Sequence, residues 1–190
     1  MSEAPSRSAV VTGAAGWLGQ NLVRSLASSD RAVIRCLVQS QDEAALLEVL
    51  SERIQPVVGD VRDPQAIEAL FEGLGAPTVF HAAGVIHPPG TTRPFFDVNV
   101  GGTQLVLDGA RRASAARFVH ISSNSPFGAN ARPTERFSEA SPYHPYLSYG
   151  ASKKEAEALV LRAYERGDLE TTVLRPPWFY GRFQPERQAR

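Results

Sequence analysis

Two residues that can move a proton lie four positions apart, Tyr149 and Lys153, in the segment Tyr-Gly-Ala-Ser-Lys. On a helix, positions i and i+4 share one face, so the phenol and the ammonium group can address the same small volume. A Tyr side chain has a pKa of about 10, and a fixed cation nearby favours the phenolate and lowers that value. The spacing therefore predicts proton transfer by Tyr149, although surface helices with a half-buried Tyr also show it.

A glycine-rich segment, Thr-Gly-Ala-Ala-Gly-Trp-Leu-Gly at residues 12–19, follows an apolar run and precedes a helical pattern. The spacing Gly-x-x-Gly-x-x-Gly allows a tight turn, close approach of the backbone to a pyrophosphate, and close packing of helix on strand. The helix N-terminus adds free amides and a partial positive charge. We therefore predict a dinucleotide site that includes Gly13, Ala15, Gly16, Trp17, Leu18 and Gly19.

The elements that must position these residues alternate along the chain. Short apolar runs predict strands at residues 9–11, 33–38, 54–58, 78–82, 117–122 and 171–174. Helical spacing of apolar residues predicts helices at 17–27, 42–50, 64–74, 94–115 and from Tyr149 to 166, with Asp63 as a helix cap. Near-continuous apolar strands separated by helices indicate an α/β fold, a Rossmann-like doubly wound parallel sheet of about six strands with helices on both faces.

Composition limits the remaining possibilities. The 190 residues fit one dinucleotide-binding domain at 9–182, with polar tails at 1–8 and 183–190. Lys+Arg and Asp+Glu number 20 each, which leaves no net charge for attracting nucleic acid or an anionic membrane. No run approaches the roughly 18 apolar residues of a membrane helix. The four His residues lack metal-site spacing, and the single Cys36 predicts a buried core thiol. These features predict a cytoplasmic protein without metal, nucleic-acid or membrane partners.

The glycine segment, the Tyr149/Lys153 pair and an upstream Ser together resemble the short-chain dehydrogenase/reductase superfamily. Their spacing resembles its extended branch, which includes nucleotide-sugar epimerases, dehydratases and reductases. Other segments that match the family are Asp60-Val61, His81-Ala82-Ala83-Gly84, Asn99-Val100-Gly101-Gly102-Thr103, Ser122-Ser123 with Phe127-Gly128, and Arg175-Pro176 with Tyr180-Gly181. The resemblance covers nearly the whole chain.

The resemblance implies hydride transfer between bound NAD(P)(H) and a substrate that is a nucleotide sugar or a small carbonyl or hydroxy compound. Ser123, Tyr149 and Lys153 would be catalytic, with Ser123 donating to the substrate oxygen and Tyr149 transferring the proton. Lys153 would also hold the nicotinamide ribose. Further cofactor contacts would come from Gln39, Asp60, Val61, Ala82, Ala83, Gly84, Asn99, Tyr149, Lys153 and Pro176.

Several alternatives stay open at this point. Asn124 and Ser125 stand where dehydratases of this branch carry an Asp-Glu pair, so an epimerase and a simple dehydrogenase remain. A non-catalytic dinucleotide-binding module or redox sensor is the alternative to an enzyme. The family also implies a possible homodimer and a substrate lobe beyond the Arg-Pro motif, so this chain resembles a truncated member. Without that lobe, the pocket would be open on one side and apolar surface would be exposed. Trp178, Phe179 and Tyr180, after the last predicted strand, could wall a substrate pocket or pack under the loop.

The end of the second predicted strand bears on the form of the cofactor. An acidic residue there binds the ribose 2′-hydroxyl of NAD, whereas an Arg favours the 2′-phosphate of NADP. This sequence has Val38 at the acidic position and Gln39 at the Arg position. The missing carboxylate, with Gln39, Ser40 and Arg35 as donors, favours NADP.

Overall fold

The computed structural model describes residues 8–30, 33–87, 90–130, 132, 134–145, 147–178, 180–182 and 184. The strands are β1 (Ser8–Thr12), β2 (Val33–Val38), β3 (Ile54–Val58), β4 (Thr78–His81), β5 (Arg117–Ile121) and β6 (Thr171–Leu174). The helices are α1 (Trp17–Ala27), α2 (Gln41–Glu48), α3 (Pro64–Phe71), α4 (Arg93–Phe96), α5 (Thr103–Arg112) and α6 (Ser148–Glu165). The predicted strands agree with these bounds within about one residue at each end.

All six strands pair in parallel, in the order β3-β2-β1-β4-β5-β6. This arrangement confirms the predicted Rossmann-like sheet. Successive strands are added toward one edge of the sheet from β1 to β3 and toward the other edge from β4 to β6, so the strand order reverses between β1 and β4. Ligands of open α/β sheets bind in the crevice at that point. Pro56 lies in the edge strand β3, where a missing amide is tolerated.

Each face of the sheet carries its own hydrophobic core, as alternating side chains of β1 illustrate. Ala9 and Val11 pack with residues of α1 and α2, whereas Val10 packs with residues of α3, α5 and α6. Cys36 is fully buried in the first of these cores, and burial raises its thiol pKa to about 12, as expected for a core thiol. Within the described ranges, no helix combines the length and the apolar character that crossing a bilayer requires.

One helix differs from its prediction. The chain at 94–115 was predicted to be one continuous helix, but α4 and α5 are joined by a π-helical segment, Asp97–Gly102. Such segments occur mostly at functional sites. Here it brings α5 against the core, since a Cβ on Gly102 would stand 2.7 Å from Val61 Cγ1. The wider turn also directs Asn99 into the interior, where it is 1% exposed.

Candidate active site

The predicted glycine segment forms the turn from β1 to α1, at the point where the strand order reverses. Gly13 has a φ of +67°, in the left-handed region that favours glycine, and a Cβ there would lie 2.7 Å from the Ala83 nitrogen. At Gly19, a Cβ would overlap the Gly13 carbonyl oxygen and lie 2.7 Å from the Ala14 oxygen. Side chains at these positions would fill the turn, so it is the glycines that allow strand, turn and helix to approach closely.

The first turn of α1 is suited to an anion. Its N-cap is the exposed Gly16, no side chain among the described residues caps it, and no acidic residue lies in the first turn. Backbone amides and the positive end of the helix dipole are therefore directed toward the crevice. Trp17 and Leu18 are half-buried, and Trp17 Nε1 donates to the Arg182 carbonyl oxygen at 2.6 Å. Ala15 is held in the turn by Gln20 Nε2, which donates to its carbonyl oxygen at 2.8 Å.

The end of β2 carries a carboxylate that the sequence reasoning missed. The Ser40 hydroxyl caps α2 by accepting a hydrogen bond from the Glu43 backbone amide at 3.2 Å. Glu43 Oε2 accepts one from the backbone amide of Gln39 at 2.7 Å. The pattern Ser-x-x-Glu is a capping box, and this signal was present in the sequence. Arg35 does not reach this end of the strand, because its guanidinium donates to Ala69 O at the C-terminus of α3. Arg35 is therefore not a donor for a 2′-phosphate, contrary to the expectation.

Asp60 and Val61, the predicted adenine-flanking pair, follow β3. The Asp60 carboxylate is partly exposed and accepts from Arg62 Nε at 2.8 Å and from its terminal nitrogen at 2.7 Å. These hydrogen bonds hold the pKa of Asp60 below its usual value. Val61 is 6% exposed and supports Gly102 of the π-helical segment. The Asp60 carboxylate thus stays ionised at the rim of the crevice.

The end of β4 approaches the glycine turn through a network of hydroxyl groups. His81 is fully buried between Thr12 Oγ1 at 2.7 Å and Thr103 Oγ1 at 2.8 Å, and burial lowers its pKa to about 3. The Ala83 amide donates to Thr12 Oγ1 at 3.2 Å, and the Ala82 amide donates to Thr12 O at 3.1 Å. Gly84 follows and is exposed. His81 therefore remains a neutral ring that joins β1, β4 and α5.

His120 lies in β5 beside His81 and is a core histidine. It is fully buried, and its ring stacks on that of His81 with centroids 5.4 Å apart. Burial lowers its pKa well below the usual value, and the positive charge of Lys153 acts in the same direction. His87 and His144, in the long connections, are exposed.

Asn99 uses its side-chain amide to join two parts of the site. Its Oδ1 accepts from the Val85 amide at 2.8 Å, and its Nδ2 donates to Val85 O at 3.1 Å and to Ser152 Oγ at 3.0 Å. Ser152 Oγ in turn donates to the Tyr149 carbonyl oxygen at 2.8 Å. The predicted cofactor residue Asn99 therefore also fixes the start of α6 against the connection after β4.

Ser123, Tyr149 and Lys153 come together at the carboxyl end of β5. The Ser123 hydroxyl shares a hydrogen bond with Ser125 Oγ at 3.0 Å and accepts one from the Ser125 backbone amide at 3.1 Å. It lies close enough to the Tyr149 phenol to lower the pKa of that group. Lys153 Nζ donates to the Ile121 carbonyl oxygen at 2.7 Å. Because β5 lies next to β4, the three groups face the same edge of the sheet as the glycine turn.

The electrostatics of this group differ from the expectation in one respect. Lys153 was expected to lower the pKa of Tyr149. Instead, burial raises this pKa, and the Ser123 hydroxyl opposes the rise. The ammonium group of Lys153 is instead directed to the carbonyl of Ile121. Burial lowers the pKa of Lys153 to about 8, against an opposing influence from Glu157. Near neutral pH, Tyr149 is a neutral phenol and Lys153 is predominantly charged.

Comparison with known proteins agrees with this geometry. A family model described as the NAD-dependent epimerase/dehydratase family matches residues 9–190. The chain belongs to this family. A crystal structure of a short-chain dehydrogenase/reductase superfamily protein from Agrobacterium tumefaciens with bound NAD superposes on this chain with a TM-score of 0.76 and 30% sequence identity. The superposition covers 88% of this chain and 48% of the Agrobacterium tumefaciens chain. The predicted family resemblance is confirmed.

Curated relatives of this epimerase/dehydratase family member are considerably longer. An uncharacterised protein of Sinorhizobium fredii is 34% identical in an alignment of 190 positions that covers 95% of this chain and 52% of the relative. A 4-hydroxy-2-methyl-3-oxo-4-farnesyl-3,4-dihydroquinoline-1-oxide ketoreductase of Stigmatella aurantiaca is 37% identical in an alignment of 174 positions that covers 90% of this chain and 50% of the relative. The chain thus spans about half the length of these relatives.

The segment after β6 is the most exposed part of the site in this family member. Pro176 is half-buried, and its carbonyl oxygen accepts a hydrogen bond from the backbone amide of Asn124 at 3.3 Å. Trp178 is 91% exposed and Tyr180 is 87% exposed. Phe179, residues 1–7 and 185–190 lie outside the described residues. Of the two alternatives for these aromatic residues, packing under the loop does not apply to Trp178 and Tyr180.

A buried ion pair behind the proposed catalytic residues was missed from the sequence. Glu157, one helical turn after Lys153, is fully buried and pairs with Arg175, whose terminal nitrogen lies 2.8 Å from Glu157 Oε2. Tyr143 OH donates to the same oxygen at 2.6 Å, and Ser122 Oγ donates to Oε1. In the sequence, Lys153 and Glu157 read as an ordinary i, i+4 pair on a solvated helix face.

Proposed function

We propose that the full-length protein is an NAD-dependent oxidoreductase of the epimerase/dehydratase family that acts on a carbon bearing a hydroxyl or carbonyl group. The observation that supports the proposal is that Ser123 and the ammonium group of Lys153 lie at the carboxyl end of β5, with Tyr149 near Ser123, on the sheet edge that also carries the glycine turn. A hydrogen-bonding hydroxyl, a buried phenol and a buried ammonium group at one sheet edge suit acid–base chemistry at a polarised oxygen.

The residues of the crevice fit a dinucleotide. Gly13 and Gly19 leave room that a Cβ would fill, and the uncapped start of α1 suits a pyrophosphate. Asp60, at the rim of the crevice, would lie at the adenine, and Lys153 would hold the nicotinamide ribose, as the family resemblance implies. Bound NAD supplies the hydride chemistry, and the protein supplies position and proton transfer.

In the direction of reduction, the proposed roles follow from the protonation states. The Ser123 hydroxyl donates to the carbonyl oxygen of the substrate and polarises it. Tyr149 is a neutral phenol near neutral pH, so it can give its proton to that oxygen as the carbon receives a hydride. Lys153 lies one helical turn from Tyr149 and is held by the Ile121 carbonyl oxygen, so its proposed role is to hold the nicotinamide ribose. In the reverse direction, the phenolate takes the proton from a hydroxyl group.

The cofactor is proposed to be NAD rather than NADP. Arg35 binds the end of α3, and Glu43 brings a carboxylate to the end of β2 that would oppose a 2′-phosphate. The solved structure from Agrobacterium tumefaciens holds NAD. These observations outweigh the absence of an acidic residue at Val38.

A small carbonyl or hydroxy compound is the proposed substrate class. The sequence relative from Stigmatella aurantiaca is named a ketoreductase. Next to Ser123, the side chains are those of Asn124 and Ser125, neither of which can act as the additional acid or base that dehydration needs. An epimerase would begin with the oxidative direction described above, removal of a hydride from a hydroxyl-bearing carbon. It differs in later returning that hydride to the opposite face of the carbon.

The proposal is tested by Tyr149→Phe, which removes the transferable proton and keeps the ring. In the full-length protein, turnover of NADH with a panel of ketones and nucleotide sugars should fall by about 10²–10⁴-fold, the usual contribution of general acid–base catalysis. The affinity for NADH, measured by fluorescence titration, should remain nearly unchanged, and NADPH should bind more weakly. Tyr164→Phe, an exposed position on the same helix, serves as the control. Unaltered turnover in Tyr149→Phe, or cofactor binding without turnover of any substrate, would reject an enzyme of this type.

A further inference from the structure

The buried carboxylate of Glu157 is connected to three segments around the proposed catalytic residues. Its Oε1 accepts from Ser122 Oγ and from Arg175 Nε at 3.1 Å. Its Oε2 accepts from Arg175 Nε at 2.9 Å, from the terminal nitrogen of Arg175 at 2.8 Å and from Tyr143 OH at 2.6 Å. Both oxygens are therefore saturated, and none of this capacity is left for solvent.

These partners belong to separate parts of the chain. Ser122 precedes Ser123 at the end of β5, and its amide donates to Leu174 O of β6 at 2.7 Å. Arg175 is the first residue after β6, and Tyr143 lies in the connection from β5 to α6. The carboxylate thus joins the end of β5, the end of β6, that connection and α6, which carries Tyr149 and Lys153.

The connection is held by rings as well as by hydrogen bonds. Tyr143 stacks on Phe127, with ring centroids 5.3 Å apart and planes at 11°, and Phe137 stacks on Phe127 at 5.2 Å. The guanidinium of Arg175 lies 5.5 Å from the centroid of Phe127 and 5.9 Å from that of Tyr143. Arg175 Nη2 also donates to Tyr143 OH at 2.9 Å. The contacts of Tyr143 therefore transmit the position of Glu157 to residues 134–145.

We propose that Glu157 is a positioning residue of the active site, an inference that rests on the function proposed above. Through Ser122 it fixes the strand end that presents Ser123 to Tyr149. Through Arg175 and Tyr143 it holds the β5–α6 connection in the conformation that borders the substrate. Through its charge it favours the protonated form of Lys153, one helical turn away.

A purely structural role for the ion pair is the competing explanation. A buried ion pair is weak evidence for stability, because its desolvation can exceed the Coulombic gain. The position of this one argues for a role in the site, since the carboxylate lies on the helix face of Tyr149 and Lys153, at i+8 and i+4 respectively. The two explanations make different predictions for variants that remove one charge or both.

The first experiment compares Glu157→Gln with the double variant Glu157→Gln/Arg175→Gln, in the full-length protein. The single variant leaves the Arg175 charge buried without its partner and should lower the melting temperature, whereas the double variant removes that charge and should recover at least half of the loss. Both variants should show the same fall in kcat, about tenfold or more, because both lack the carboxylate beside Lys153. Recovery of kcat together with the melting temperature in the double variant would overturn the proposal. Glu155→Gln, at an exposed position of α6, is the matched control.

The second measurement needs no substrate. Glu157 on α6 is the titratable group that raises the pKa of Lys153. The charge of Lys153 in turn lowers the pKa values of His81 in β4 and His120 in β5. In Glu157→Gln and in the double variant, the pKa of Lys153, followed by ¹³C NMR at Cε, should fall below its value of about 8. An unchanged pKa would remove the electrostatic part of the proposal.

The third measurement isolates the connection. Tyr143→Phe keeps the ring stack and the ion pair but removes the phenolic hydroxyl from Glu157. Amide hydrogen exchange in residues 134–145 should become about tenfold faster while exchange in β1 and β4 is unchanged, and the KM for substrate should rise more than kcat falls. Tyr164→Phe should do neither. Equal exchange in the variant and the parent protein would contradict the proposed role of Tyr143.

The outcomes separate this inference from the proposed function. If Tyr149→Phe retains full turnover, the function is wrong whatever the Glu157 variants do. If Tyr149→Phe is inactive but the Glu157 variants keep kcat and the pKa of Lys153, the function stands and the positioning role fails.

Discussion

Gly19 offers a direct test of the glycine turn, because a single methyl group would be added where no space exists. A Cβ on Gly19 would overlap the Gly13 carbonyl oxygen and lie 2.7 Å and 2.8 Å from the Ala14 oxygen and carbonyl carbon. These neighbours are backbone atoms of the turn, so no flexible side chain can move aside. Gly19→Ala therefore has to displace the turn from the first residues of α1.

Two effects of opposite sign act in this variant. Alanine is favoured over glycine in a helix by about 1 kcal/mol. Overpacking typically costs about 1–3 kcal/mol, and the upper end applies here because the contacts are with backbone. The net expectation is a loss of about 2 kcal/mol, the larger cost less the helical gain. For a chain of this size, each kcal/mol shifts the melting temperature by about 2–4 °C, so the variant should melt about 4–8 °C lower.

The assay pairs thermal unfolding with NADH titration. A displaced turn alters the backbone that would hold the pyrophosphate, so we expect Kd to rise by about tenfold or more, equivalent to about 1.4 kcal/mol. Gly75→Ala is the control, since in the part of the chain that the structure describes no neighbouring atom lies within 4 Å of its Cβ position, and it should leave both quantities unchanged. If Gly19→Ala melts at or above the parent temperature and binds NADH equally well, the close packing of strand, turn and helix is not what the motif provides.

Two further predictions concern buried titratable groups. Lys153 has a folded-state pKa of about 8 against 10.5 for the unfolded chain, so the unfolded chain binds the extra proton between those values. The unfolding free energy, measured in urea, should therefore rise from pH 8 to 10 relative to Lys153→Met, and an equal slope in both proteins would refute the shift. Cys36 is buried with a pKa of about 12, so a thiol reagent at pH 8 should modify it only at the rate of unfolding; rapid modification of the native protein would contradict its burial.

The fold was largely predictable because its strands are buried on both faces. The run Val33–Val38 is apolar at every position except Arg35, and its short length and β-branched residues favour a buried strand over a helix. Asp63 was correctly predicted as a helix cap, and its carboxylate accepts from the Gln65 amide at 2.9 Å. The π-helical segment at Asp97–Gly102 was not predicted, because one wider turn changes the apolar spacing too little to be visible in sequence.

The candidate site was predictable only where a local pattern carries the chemistry. The glycine turn and the Tyr149/Lys153 pair are short motifs, and the structure brings them to one sheet edge. The role of Glu157 depends on Ser122 and Arg175, which are 35 and 18 positions away, so its burial has no local signal. The carboxylate of Glu43 did have one, the capping box with Ser40, and it changes the cofactor argument.

The direction of the Tyr149 shift shows how burial and charge compete in this site. Sequence spacing indicates a cation near the phenol, but only the structure shows how much solvent is lost and that the Lys153 ammonium faces the Ile121 carbonyl. Burial penalises both charged forms, so it keeps Tyr149 protonated and brings Lys153 close to losing its proton. The fully buried Glu157 opposes the second effect without reversing the first. A neutral phenol and a predominantly charged ammonium group suit the proposed reduction of a carbonyl: burial supplies the first, and the carboxylate of Glu157 favours the second.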